Sequence, residues 1–289
     1  VRVHRWRAWA WGVLGIVLLA VAWEAYKALG PADGVRIGDT IVLPRTNDLA
    51  MPHLWTMAQR AGEPVTSAPG AVPLWSYVLS AAWLSFKVAL IGWAIALVVG
   101  MLLALLMQRS KIANSALLPW VVLSQTVPLI ALAPLVKRWS SAFHIGGFAW
   151  QDWMSVAVIA AYLAFFPITV GMVRGLNSPV AAQTDLMRSY ATGWWQSLIR
   201  LRLPASVPYL IPALRLSIAA AVIGTVVAEV SIGMDGGIGR MIIEFAQTGS
   251  ADPAKQWSPI GGAVLMGLAG AGLVALIGVL LKRYRRAEA

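Results

Sequence analysis

Six apolar runs, each long enough to cross a bilayer, constrain this chain more than any other feature; they fall at about 8–29, 75–107, 115–136, 153–173, 207–232 and 258–281. A hydrocarbon core about 30 Å thick needs about 17–25 helical residues, and only helices or closed barrels satisfy their own backbone polar groups in it. The expected fold class is therefore all-α integral membrane, a six-helix bundle. Composition agrees, since 12% of the residues are charged where soluble domains carry about 25%. The second run is longer than one crossing requires, so Trp75 to about Phe86 is expected in or above the interface, or the helix is strongly tilted. The first run follows Arg2, Arg5 and Arg7, as a signal peptide would, but it is long for an h-region. With no convincing cleavage site at Lys27–Leu29–Gly30, it reads as a retained helix.

A net charge of +11 raises nucleic acid as a partner, but the basic residues sit in short groups beside apolar runs and form no continuous face. Orientation explains them better. A cytoplasmic N-terminus places residues 1–7, 108–114, 174–206 and 282–289 inside. These carry Arg2, Arg5, Arg7, Arg109, Lys111, Arg174, Arg188, Arg200, Arg202, Lys282, Arg283, Arg285 and Arg286 against Asp185 and Glu288. On the other side, segments 30–74, 137–152 and 233–257 are balanced once Lys27 at the membrane edge is counted, so the whole net charge falls inside, as the positive-inside bias requires. Both termini are expected in the cytoplasm, in a multi-pass membrane protein.

Residues 30–74 read as an external loop with one short amphipathic helix at 51–61, possessing too few core residues for a binding domain. The chain lacks cysteine, hence disulfides and thiolate chemistry, and it has no G-x-x-x-x-G-K-[ST] phosphate loop. His4, His53 and His144 are dispersed, giving no case for a metal, and GMDGGIG at 233–239 lacks the strand and helix of a dinucleotide site. No nucleophile–base set stands out, so catalytic residues are expected to be absent.

Within the spans, Gln125, Thr126 and Pro128 interrupt the third run, and could expose carbonyls to a water-filled path. Glu229, followed by Ser231 and the glycine-rich turn, is a buried charge that needs a reason. It either lines the solute pathway or pairs structurally with Arg215, Lys87 or a backbone donor. Snorkelling suffices for Glu24 and Lys87 at the outer ends of their spans, and a helix is expected at 240–247.

The segment 185–208, DLMRSYATGWWQSLIRLRLPASVP, lies between the fourth and fifth runs. Leu186, Tyr190, Trp194 and Leu198 recur about every four residues, Thr192–Gly193 breaks the pattern, and Pro204 is expected to end a second helix. Two short helices about a glycine turn would make a rigid knob, able to transmit a rigid-body push. The segment resembles the cytoplasmic loop of bacterial ABC importer permeases, patterned Glu-Ala-Ala, three residues, Gly, nine residues, Ile-x-Leu-Pro. Here Asp185 is the acid, Leu186 and Met187 replace the alanines, Ala191 stands at the glycine, Leu201 at the isoleucine, and Leu203 and Pro204 are in register. PLIALAPL (128–135), AAYLAFFPITV (160–170), LRLPASVPYLIPALRLSIA (201–219) and VVAEVSIGMDGGIGRMI (226–242) are similar to the nitrate, sulfonate, taurine and thiamine-precursor branch of that binding-protein-dependent family.

The resemblance implies the type I importer permease fold, with a core at 75–282 and its coupling loop at 174–206. Residues 1–29 form a tail and first helix, 30–74 the external loop and 283–289 a cytoplasmic tail. It also implies two ATPase subunits holding ATP and Mg, a second permease, and an external solute-binding protein, with no cofactor on this chain. The coupling surface would comprise Asp185, Leu186, Met187, Arg188, Tyr190, Ala191, Gly193, Leu203 and Pro204, with Gln125, Thr126, Glu229 and Ser231 as pathway candidates. The function implied is ATP-driven import by alternating access. The DLMRSYA form is similar to permeases for pyrimidine, thiamine-precursor or riboflavin-like solutes more than to those for nitrate, sulfonate or taurine. The alternative is an ion-coupled carrier or channel with Glu229 as ion site, although no inverted repeat supports it.

Overall fold

The structure is a computed structural model that describes residues 2–38, 40–145 and 148–281, with the side chains of 2–9 and a few hairpin residues left aside. The C-terminal tail with Lys282, Arg283, Arg285, Arg286 and Glu288, and the side chains of Arg2, His4, Arg5, Arg7 and His144, therefore lie outside the described residues. The elements in order are α1 (Arg2–Leu29), β1 (Val35–Ile37), β2 (Thr40–Leu43), α2 (Leu54–Gly62), α3 (Leu74–Arg109), α4 (Lys111–Ser124) and α5 (Leu129–Ser141). There follow β3 (His144–Ile145), β4 (Phe148–Ala149), α6 (Asp152–Leu176), α7 (Ala181–Ser189), α8 (Trp194–Ser197), α9 (Leu203–Ile232), α10 (Ile238–Gln247) and α11 (Ser258–Leu280). Among the described residues five helices are long and apolar enough to span, and α4 with α5 makes a sixth, broken one.

The chain divides into two compact units, one containing residues up to Leu79 with Ile242–Gly261, the other Ser80–Met241 with the residues from Gly262 on. In the first, the loop after α1 is more ordered than its composition suggests. It contains an antiparallel hairpin of β1 and β2, unforeseen in the sequence, and α2 where the amphipathic stretch was expected. Glu24 does not merely snorkel, and Lys27 one turn on is paired as well. The Glu24 carboxylate accepts from the backbone N–H of Leu54 at 2.8 Å and pairs with His53 Nδ1 at 2.7 Å, while Lys27 meets Asp48 at 2.6 Å. The hydrogen bond from the Lys27 ammonium holds the Asp48 carboxyl below its ordinary range. Arg60 on α2 pairs with Asp252 at 2.7 Å.

The second unit is organised on α6 and α9. Small residues let the two backbones meet: a Cβ on Gly175 would stand 2.7 Å from the Ser206 Cα, and one on Gly171 would collide with the Ala213 side chain. Such close approach supplies the dispersion contact that drives helix association where lipid removes the hydrophobic incentive. Nearer the start of α6, Gly92 of α3 rests on the Ala157 carbonyl and Ala160. Trp93 donates its indole N–H to Ser217 of α9 at 2.8 Å. Trp93, Ala96, Ala164, Ile168, Leu214, Ile218 and Val274 form the shared core of α3, α6, α9 and α11.

Two runs differ from their sequence boundaries. Instead of one straight crossing, the third is the pair α4 and α5, bent by 101° at residues 125–128. Pro128 has no N–H to continue α4, and it excludes the α conformation at the residue before it. The second run is one unbroken helix of 36 residues, about 54 Å at 1.5 Å per residue, much longer than the hydrocarbon thickness.

Candidate functional site

Helix α7 has no buried residue, only Thr184 and Met187 being half-buried, and Asp185 pairs with Arg188 one turn on at 3.2 Å. It begins at Ala181, four residues before the acid, and ends at Ser189. Its C-terminus closes by two bonds: Ala191 N–H to the Arg188 carbonyl at 2.8 Å and Thr192 N–H to the Met187 carbonyl at 3.1 Å. This is a Schellman ending, which requires a left-handed residue immediately after the helix, ordinarily glycine. That residue is Ala191, with φ of +48°, the one described non-glycine residue with positive φ. The geometry gives a physical reason for a glycine at this place in the loop pattern, and shows that alanine takes the same conformation at a cost. Gly193 has φ of −68° and serves as N-cap of α8, so its place does not depend on left-handed freedom.

Pro204 does not end the second helix. From α8 the chain passes through a π-helical turn, Leu198–Arg202, directly into α9, so one helical segment runs from Trp194 to Ile232. A proline ring collides with the carbonyl four residues back in a regular α-helix. The wider turn, in which Leu203 N–H reaches the Leu198 carbonyl, relieves that collision without breaking the rod. The loop is therefore one exposed helix joined by a short turn to the end of a span. Leu203 and Pro204 belong to that span.

The segment after the turn is anchored. Trp194 donates to Gln108 of α3 at 3.2 Å and lies under the Arg109 guanidinium, 5.5 Å from its ring centre. Leu198 is buried with Ala104, Met172 and Leu176, and Arg202 donates to the Leu176 carbonyl at 2.8 Å, capping α6. The segment that follows α7 is thus fastened to α3, α6 and α9. Gln108 and Arg202 were missed in the sequence because nothing local marks a contact made across the fold.

The pathway candidates are dispersed. Gln125 and Thr126 are exposed at the α4–α5 break, where Thr126 bonds the Leu123 carbonyl at 2.8 Å and the Tyr162 hydroxyl donates to that of Ser124. Ser231 bonds within its own helix, to Val227, at 2.8 Å. Glu229 is fully buried, and neither Arg215 nor Lys87 is its partner. Its Oε2 accepts from the backbone N–H of Gly239 at 2.8 Å, and Ser85 of α3 accepts from Ile238 N–H at 2.9 Å. Together they satisfy two donors at the start of α10 that a helix leaves unpaired. Gly237 and Gly239 are needed there because a Cβ on either would lie 2.5–2.6 Å from Glu229.

With this geometry in view, the family model of the binding-protein-dependent transport system inner membrane component matches residues 96–287. The chain belongs to that family. It is an ABC importer permease subunit, a multi-pass inner-membrane protein and not a catalytic one. Membership implies ATPase and binding-protein partners. It is 33% identical to the formylaminopyrimidine transport permease protein ThiX of Halalkalibacterium halodurans over 68% of this chain and 74% of that one. A putative aliphatic sulfonates transport permease protein, SsuC of Bacillus subtilis, is 31% identical over 55% of each chain. The riboflavin transport system permease protein RibX of Chloroflexus aurantiacus is 29% identical over 45% of this chain and 44% of its own. Several relatives are thus matched over only about half their length. A crystal structure of an amino acid ABC transporter with histidines shares the permease fold, with TM-score 0.56 at 14% identity, covering 70% of this chain and 92% of that one.

Proposed function

We propose that this permease imports a small planar organic solute of the pyrimidine, thiamine-precursor or riboflavin kind, by alternating access driven by ATP hydrolysis on two separate ATPase subunits. A second permease completes the path, and an external binding protein delivers the solute. The core at 75–282 carries the cycle, residues 174–206 and both termini face the cytoplasm, and 1–29 with 30–74 is an addition to it.

The observation that carries the reading is α7: an exposed helix that contributes nothing to the core, joined to a segment fastened to three spans. A soluble partner could grip such a helix and move the spans as a body. The ThiX likeness supports the heterocyclic solute class. The test is uptake of labelled formylaminopyrimidine into proteoliposomes holding the assembled complex and its binding protein. Uptake should require ATP inside and fall to background with an ATPase subunit unable to hydrolyse it. Uptake that continues without ATP would replace this reading with an ion-coupled carrier, and Glu229 would then be its first candidate ion site.

A further inference from the structure

Where α6 begins and α9 ends, the second unit contains a cavity of about 600 Å³ whose lining includes Lys87 and Ile91 of α3, Gln151, Asp152 and Trp153 at the start of α6, and Asp235 in the turn after α9. None of Gln125, Thr126, Glu229 or Ser231 lines it.

Its charges are unevenly satisfied. Asp152 is paired with Lys137 at 2.9 Å, and Asp235 stands 3.8 Å from Arg240. Among the described residues no hydrogen bond or ion pair reaches the Lys87 ammonium, although it sits on a helix that crosses the membrane. Snorkelling is enough to seat such a cation; what sets Lys87 apart is its place in the wall of this cavity together with Gln151 and Trp153. The Trp153 indole N–H is held by Gln151 Oε1 at 2.6 Å, which fixes the ring and leaves the amide nitrogen of Gln151 as a donor.

We propose that this cavity is a solute site of the permease, with Lys87 as the donor that holds the solute's acceptor group. This rests on the importer reading above and names the solute chemistry more closely. A compact oxyanion placed here would use the Lys87 ammonium alone and leave the apolar wall and the Trp153 ring uncovered. A cationic solute would meet Lys87. A neutral planar heterocycle with both kinds of polar group suits the lining: a carbonyl or ring nitrogen accepts from Lys87, an amino group donates to Asp235, and the ring lies along Trp153. A few placed polar groups in a largely apolar wall are the usual make-up of small-molecule sites. The volume holds one- and two-ring molecules.

This chain has no cysteine, so label read on its own band reports a single introduced one. In the assembled transporter with its binding protein, Gln151→Cys is labelled by a membrane-impermeant maleimide, with formylaminopyrimidine or nitrate present. We expect formylaminopyrimidine to slow labelling at least threefold and nitrate to leave it unchanged. In uptake, Lys87→Met should raise KM about tenfold while Lys87→Arg stays within about threefold of wild type. Recovery of the complex with its ATPase shows whether Lys87→Met has assembled, and if it has not, the labelling result decides. If wild type imports formylaminopyrimidine while neither labelling nor KM responds, the site is wrong and the import reading stands. If wild type imports nitrate or an alkanesulfonate and no heterocycle, the solute class is overturned in both.

Discussion

Ala191 occupies a left-handed conformation in which its Cβ crowds the following carbonyl. Ala191→Gly should therefore stabilise the chain by about 0.5–1 kcal/mol, the relief being partly offset by the greater freedom of glycine in the unfolded state. A thermal unfolding midpoint in detergent that rises with the substitution supports this, and one that falls shows that the strain is absent. Glu229 presents the opposite case, a polar group whose loss strands another. Glu229→Ala leaves the buried Gly239 N–H without its acceptor and should cost about 1–3 kcal/mol, with Glu229→Gln costing less because an oxygen remains. Equal midpoints for Glu229→Ala and wild type would mean that α10 starts without this bond. These residues also mark where sequence stopped being informative. Glu229 is conspicuous as a charge after a long apolar run, but its partner ten residues on became visible only through the fold. The glycine position at Ala191 could be counted from the acid, yet its left-handed geometry depends on where α7 ends.

The spans were legible because their signal is cumulative: some twenty apolar residues outweigh any single exception, so α1, α3, α6, α9 and α11 coincide closely with the runs. What was not legible depends on backbone accommodation. Pro204 resembles a stop signal, and three residues 125, 126 and 128 resemble a local interruption. In the fold the first is absorbed by a π turn and the second becomes a bend of 101°. At that bend the Tyr162 hydroxyl donates to the carbonyl of Ser124, which α4 can no longer use. Tyr162→Phe should cost about 1–2 kcal/mol and loosen the bend, read as faster hydrogen exchange at 121–129 with the rest of α4 unchanged. Unaltered exchange would show that Pro128 and the Thr126 contact hold it without Tyr162. Short strands 35–37 and 40–43 escaped notice for a related reason, since two-stranded hairpins depend on what lies beside them.

For the whole molecule, the proposed orientation rests on the charge distribution. Single cysteines at Ser189 in the α7 loop and at Ser250 after α10 should be labelled by an impermeant thiol reagent from opposite sides, Ser250→Cys in intact cells and Ser189→Cys only after the membrane is opened. Labelling of both from outside would break the topology, and labelling of Ser189→Cys alone from outside would reverse it. Orientation matters because coupling requires α7 to meet a soluble ATPase in the cytoplasm. The most direct measurement of that claim is recovery of the ATPase from the native host with the detergent-solubilised chain, comparing wild type with Arg188→Pro. Proline in the last turn of α7 removes a backbone donor and collides with the Thr184 carbonyl, a cost of about 3 kcal/mol to the helix, while the buried cores lie elsewhere. We predict that wild type brings down a phosphate-loop ATPase and that Arg188→Pro loses it while remaining folded in the membrane. A chain that purifies alone, or a variant that keeps its ATPase, would contradict the assignment of α7 as the coupling element.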